Sequence, residues 1–206
     1  MNTAVLGRRS PGSQQVQAAG IGLWVFIGVA GTLFTLFLAA YVMRMESADW
    51  WPIPMPWQTW LSTAVLIAGS FALHRSTVEA RAARHDAARV WLRAGGIFAF
   101  VFLAVQLWAW QSLRAAGVVV TGNPSASFFY MLTALHGLHV IGGLMAWAST
   151  SRAAKRLDAA AVAWRIALCA RYWHFLLAVW VVLFAALGWV TPEVVRFICG
   201  PDWGNK

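Results

Sequence analysis

Five stretches of this chain carry no Asp, Glu, Lys or Arg: residues 21–43, 57–73, 94–113, 128–150 and 172–190. Each is about 17 to 25 residues long, the length that crosses ~30 Å of hydrocarbon at ~1.5 Å per residue. A backbone in lipid must satisfy its own hydrogen bonds, so stretches of this length are expected to be helices. Composition agrees: 60% of the 206 residues are hydrophobic and 11% charged, with a mean hydropathy of +0.63. A soluble domain carries roughly 25% charged residues.

The fold expected is therefore an all-α integral membrane bundle of five transmembrane helices. Residues 1–20 read as a flexible cytoplasmic N-terminal segment, 21–192 as the transmembrane domain and 193–206 as a short periplasmic tail. The first twenty residues are polar and loose, with no apolar run or small-residue cleavage site, and 21–43 is too long for a signal core.

The loops orient the bundle. With the N-terminus in the cytoplasm, the inner segments hold Arg8, Arg9, Arg75, Arg81, Arg84, Arg89, Arg93, Arg152, Lys155, Arg156, Arg165 and Arg171. The outer ones hold Arg44, Arg114, Arg196 and Lys206. Basic residues favour the cytoplasmic side, so the N-terminus is expected inside and the C-terminus in the periplasm. The same residues explain the net charge of +9, which is a topology signal and not a nucleic-acid one. Tryptophans repeat the pattern: Trp57, Trp60, Trp108 and Trp189 fall at the outer interface, Trp24, Trp91, Trp147 and Trp173 at the inner one, and Trp180 near mid-span. Pro52, Pro54 and Pro56 stiffen the first outer loop. Asn123-Pro124-Ser125 reads as a turn feeding a helix N-terminus, and Thr191-Pro192 ends the last span. From Phe71 to Arg93 there is no Gly or Pro, so spans two and three are expected to project past the membrane as a basic hairpin. Cys169 and Cys199 fall near opposite faces in this topology, too far apart for a disulfide.

Polar groups within spans need a reason, because lipid offers them no partner. No Asp, Glu, Lys or Arg lies deep in any span, unlike in most pumps and transporters. His136 and His139 are three apart on span four, on one face with Thr133. His174 on span five reaches a depth comparable to His139. The pattern admits interhelical or lipid-headgroup hydrogen bonds, haem or metal ligation, or a proton relay. Two His at this spacing on one helix cannot be both axial ligands of one haem, and a relay lacks the usual carboxylates. Gln106 and Thr133 read as interhelical hydrogen-bonders. Gly28 with Gly31, Gly95 with Ala99 and Gly142 with Ala146 read as close helix contacts. Nothing forms a nucleophile–base pair, phosphate loop or metal-spaced Cys/His set, so no complete active site is visible.

Several segments resemble a known family. HGLHVIGG at 136–143, preceded by Phe128-Phe129-Tyr130 and Leu132-Thr133, resembles the signature of haem–copper oxidase subunit III. YWHF at 172–175, followed by Trp180, resembles the start of that family's last helix, and GLWVF at 22–26 the start of a core helix. Pro52 and Pro54 with Leu61, Thr63 and Ser70 are similar to its proline loop and the helix that follows. The chain resembles the short, five-helix bacterial form. It departs where many members carry acids: Ala30 and Leu177 stand at those places.

The resemblance implies an accessory, non-redox subunit of a proton-pumping terminal oxidase, cytochrome c oxidase, in the bacterial inner membrane. It implies no cofactor in this chain, haem and copper in partner subunits, and catalytic subunit I, subunit II and a small subunit IV as partners. It also implies phospholipid binding and support of proton uptake. Trp24, Thr133, His136, His139, Trp173 and His174 are the interhelical or lipid-contact candidates. The alternative readings are subunit III of a quinol oxidase and an accessory subunit of a nitric oxide reductase, which resemble this family closely. A b-type haem electron carrier is the reading from a different class.

Overall fold

The computed structural model describes residues 11–154 and 159–199. Among them there are six helices and no strand: α1 (Pro11–Arg44), α2 (Gln58–Arg81), α3 (His85–Ala115), α4 (Pro124–Ala153), α5 (Ala159–Trp189) and α6 (Pro192–Cys199). Four of them, α1, α3, α4 and α5, are long and apolar enough to cross a membrane. The helix of α1 starts ahead of the apolar run at residue 21. Arg8, Arg9, Lys155, Arg156 and Lys206 lie outside the described residues, as does the side chain of Cys199; Cys169 is a buried free thiol.

α2 differs from the other four because it is polar where it is buried. Gln58, Thr59, Ser62, Ser70, Ser76, Thr77 and Glu79 are all buried. Several reach across to neighbouring helices. Gln58 Nε2 donates to Ser112 Oγ at 2.7 Å and Ser76 Oγ to the Ala88 carbonyl at 2.8 Å, both on α3. Trp180 Nε1 on α5 donates to Thr63 Oγ1 at 2.9 Å. These partnered hydroxyls and amides lower the helix's hydropathy without leaving polar atoms facing lipid. α2 therefore lies between α3 and α5, bonded to both.

The α2–α3 turn occupies residues 82–84. The Arg84 N–H donates to the Glu79 carbonyl at 3.0 Å and the Ala83 N–H to the Ala80 carbonyl at 3.2 Å, the double bond of a Schellman cap. Such a cap needs one left-handed residue, and here it is Ala83, with φ +56°. α3 ends the same way, with Val118 N–H to Leu113 at 2.9 Å and Gly117 N–H to Arg114 at 3.0 Å, but with Gly117 at φ +81°. Alanine in that region strains its Cβ against the following carbonyl. Ala83→Gly is accordingly expected to stabilise the hairpin by about 0.5–1 kcal/mol, less than the full strain because glycine has more unfolded freedom to lose. A higher thermal midpoint in detergent is the readout, and an unchanged or lower one refutes it.

The hairpin tip carries Glu79, whose side chain is only 6% exposed and is paired with Arg84 and, at 3.3 Å, with Arg75. The Arg84 hydrogen bond outweighs desolvation and holds the carboxyl below the usual glutamate range. The expected basic hairpin thus closes around one buried acid.

α4 begins where Asn123-Pro124-Ser125 predicts: Asn123 Oδ1 accepts from the Ala126 N–H at 2.8 Å, and Pro124 opens the helix. The main core joins α2, α3, α4 and α5 through Leu66, Leu73, Leu92, Phe102, Val140 and Trp173. α1 leans on α4 and α5 through Ala30, Phe34 and Tyr41, while Ile21, Val25, Val29 and Leu36 stay exposed. After Thr191-Pro192 the chain forms α6, whose Val195 packs on Tyr41 and Met45.

Candidate functional site

The polar residues of α4 meet three other helices at mid-bundle. Thr133 is buried. Its hydroxyl donates to the Phe129 carbonyl at 2.6 Å and accepts from Trp110 Nε1 at 3.1 Å, tying α3 to α4. One turn on, His136 has no exposed surface. Its ring sits among Trp180 of α5 (5.1 Å between centroids), Phe102 of α3 (5.6 Å) and Phe34 of α1 (6.3 Å). Neither ring nitrogen has a hydrogen-bond partner among the described residues, and neither polar atom of buried Gln106 has one.

His139 is half-buried. Its Nδ1 lies 2.8 Å from the Leu135 carbonyl, an acceptor only, so that nitrogen carries the proton. Its ring packs on Phe34 at 5.2 Å and Phe26 at 6.0 Å. The His139 carbonyl accepts from the Tyr172 hydroxyl at 3.0 Å, linking α4 to α5. Trp173 is 1% exposed and lies over Gly143, where an added Cβ would stand 3.3 Å from the indole.

The other two candidates lie elsewhere. His174 does not join His136 and His139. Tyr172 and Trp173 turn toward α4, and a further ~100° of helix per residue carries position 174 round toward α2. There its Nδ1 meets Ser70 Oγ at 2.5 Å, and its ring stands 6.0 Å from His74. Comparable depth in the sequence said nothing of this rotation. Trp24 is 62% exposed, so it faces the surroundings of the bundle and bridges no helices. Only tertiary pairing reveals the Ser70–His174 contact, His74 beside it and the Trp180–Thr63 bond.

Among the described residues, no group of three or more His, Cys, Asp or Glu is placed to hold a metal ion. A groove of about 450 Å³ lies between α1, α4 and α5. Leu23, Phe26, Gly142, Leu168 and Tyr172 form its apolar walls, and Arg165 sits at the end formed by the start of α5. An apolar slot ended by one guanidinium fits an amphiphile with an anionic head.

No family model matches the chain. It is 32% identical over 163 residues to the probable cytochrome c oxidase subunit 3 of Nocardia farcinica, covering 75% of this chain and 79% of that one. It is 28% identical over 185 residues to cytochrome c oxidase subunit 3 of Thermostichus vulcanus, covering 81% and 85%. With the Bacillus subtilis protein of the same name it shares 29% over 177 residues, 81% and 84% of the two lengths. These matches make this multi-pass helical chain a member of the cytochrome c oxidase subunit 3 family.

Proposed function

We propose that the chain is the accessory, non-redox subunit III of a proton-pumping cytochrome c oxidase in a bacterial inner membrane. It assembles with a catalytic haem–copper subunit I, a subunit II and a small subunit IV, which hold the haem and copper. It stabilises subunit I, binds phospholipid and sustains proton uptake during turnover. The observation that carries this reading is the likeness to subunit 3 proteins over most of both lengths. The α1 surface supports it, since Ile21, Val25, Val29 and Leu36 offer a broad apolar face to a partner or to lipid. The groove beside Arg165 suits a phospholipid.

Five helices cross the bilayer in this reading, N-terminus inside and C-terminus outside. α2 is the fifth: its 24 residues reach about 36 Å, longer than the hydrocarbon, and its polar atoms bond to α3 and α5. A reporter fused after Lys206 is expected in the periplasm, and one within the α2–α3 turn in the cytoplasm. A cytoplasmic C-terminus overturns the five-span arrangement.

The functional test is removal of this chain from its oxidase. The stripped complex is expected to keep its haem and copper spectra and its initial oxygen-consumption rate, then to lose activity during turnover. Loss of the first turnover with intact metal centres would instead demand a direct catalytic role.

A further inference from the structure

α2 and α5 bring two histidines together on the outside of the bundle. Ser70 and His74 lie four apart on α2, so they share a face. His174 of α5 meets that face. Its Nδ1 lies 2.5 Å from Ser70 Oγ, and its ring centroid stands 6.0 Å from that of His74, with the planes at 43°. Ser70 is buried, whereas both imidazoles are exposed. The Ser70 bond occupies Nδ1 of His174 and leaves Nε2 free. Polar solvent begins at this level: His74 directly follows the uncharged run 57–73, and Arg171 directly precedes the run 172–190. The cation beside His74 is turned away. Arg75 reaches Glu79 at 3.3 Å and stands 6.0 Å from the Trp91 ring of α3. Arg171, exposed one turn before His174, is a charge that opposes a cation here.

We propose that His74 and His174 together bind one divalent transition-metal ion of the zinc class, which bridges α2 and α5. Zinc bonds an imidazole nitrogen at about 2.0–2.1 Å. Adding about 1.1 Å from nitrogen to ring centre, two imidazoles on one tetrahedral ion stand about 5 Å apart between centroids. The observed 6.0 Å closes to that by a small rotation of the exposed His74 ring. His174 is already oriented. With Nε2 on the ion, its Nδ1 carries the proton and donates to Ser70 Oγ, the bond that fixes tautomer and ring direction in metal-bound histidines. Water fills the remaining positions, which the exposure of both rings permits. Imidazole selects zinc, copper or nickel over calcium and magnesium, which take oxygen ligands. Two protein ligands and a nearby Arg171 make the ion exchangeable, unlike a structural zinc held by four. When bound, it adds a tie between α2 and α5 beyond the Trp180–Thr63 bond. The site is built from this chain alone and does not rest on its place in an oxidase.

The test uses the full chain in detergent, purified without a polyhistidine tag and stripped of metal by a chelator. Zn2+ is titrated in competition with a chromophoric chelator, and Co2+ serves as the spectroscopic probe. One ion per chain is expected, with the visible absorption of cobalt bound to imidazole. His74→Ala and His174→Ala are each expected to weaken binding by more than about tenfold, and Ser70→Ala by about tenfold, the lower end of what losing a ligand-orienting partner costs. His74→Gln, which keeps a polar side chain but removes the imidazole, should match His74→Ala. His85→Ala, at the exposed start of α3, should bind as the parent chain does. Zn2+ should also raise the thermal midpoint of the parent chain and leave that of His74→Gln where it was. Failure of both ions to bind at micromolar concentrations overturns the site. So does binding that survives the loss of His74 or His174, or that falls equally in His85→Ala.

Discussion

Gly96→Ala is expected to destabilise the bundle by about 3 kcal/mol, the largest effect of any single methyl added here. A Cβ at Gly96 would lie 2.2 Å from two ring atoms of Trp147, a separation no side chain tolerates. The obstacle is a rigid indole, pinned by its 2.7 Å bond to the Leu92 carbonyl and packed on Phe100 with ring centroids 6.4 Å apart. Relief requires Trp147 to leave that bond. Overpacking costs about 1–3 kcal/mol, and stranding a buried polar group about 1–3 more. Gly95→Ala is the informative neighbour: its Cβ meets Leu73 at 2.6 Å, and a leucine branch rotates more cheaply. Gly28→Ala meets nothing within 4 Å and should be neutral. The three are compared by thermal unfolding in one detergent. Equal midpoints for Gly96→Ala and Gly28→Ala would show that the α3–α4 seam is not close-packed.

These glycines show where the sequence is legible. Gly28 with Gly31, Gly95 with Ala99 and Gly142 with Ala146 are small-residue pairs three or four apart, yet only Gly95 is a tight contact. Gly28 is open, and Gly142 borders the Arg165 groove. Gly69, Gly96 and Gly143, also tight against neighbouring helices, look no different in the chain. Spacing along one helix fixes which residues share a face, but the facing side chain comes from elsewhere. Local signals fare better: the Asn123 cap, the long apolar runs and the glycine-free hairpin depend on neighbours in sequence. α2 lies between these cases. Its length is legible, but its hydropathy is too low for its surroundings until Ser76, Gln58 and Thr63 are seen bonded to α3 and α5. The comparable depth of His174 and His139 is legible, because depth can be counted along the chain. Its rotation toward Ser70 could not be counted, because the packing of Tyr172 and Trp173 on α4 sets it. The Trp180–Thr63 bond spans 117 positions, and no local pattern announces a pairing at that distance.

His136 offers the sharpest energetic test of the mid-bundle site. Replacing it by Leu alone, or Gln106 by Leu alone, is expected to cost about 1–3 kcal/mol, whereas the double replacement should cost clearly less than the sum. The reasoning is positional. α3 and α4 run antiparallel, with Phe102 against His136 at 5.6 Å and Trp110 bonded to Thr133 at 3.1 Å. Gln106 lies one turn from each of those α3 residues, at the level of the His136 ring. Both side chains are buried and without partners among the described residues. Two orphaned polar groups at one depth are expected to satisfy each other, directly after a small rotation or through a bridging water. Removing one strands the other; removing both leaves aliphatic side chains of suitable size among Phe34, Phe102 and Trp180. A coupling of about 1–2 kcal/mol in a double-mutant cycle, read from thermal unfolding, is the expected outcome. Energies that add to within about 0.5 kcal/mol would break the link. His136 would then owe its place to aromatic packing, and the polar tie between α3 and α4 would rest on Thr133 and Trp110.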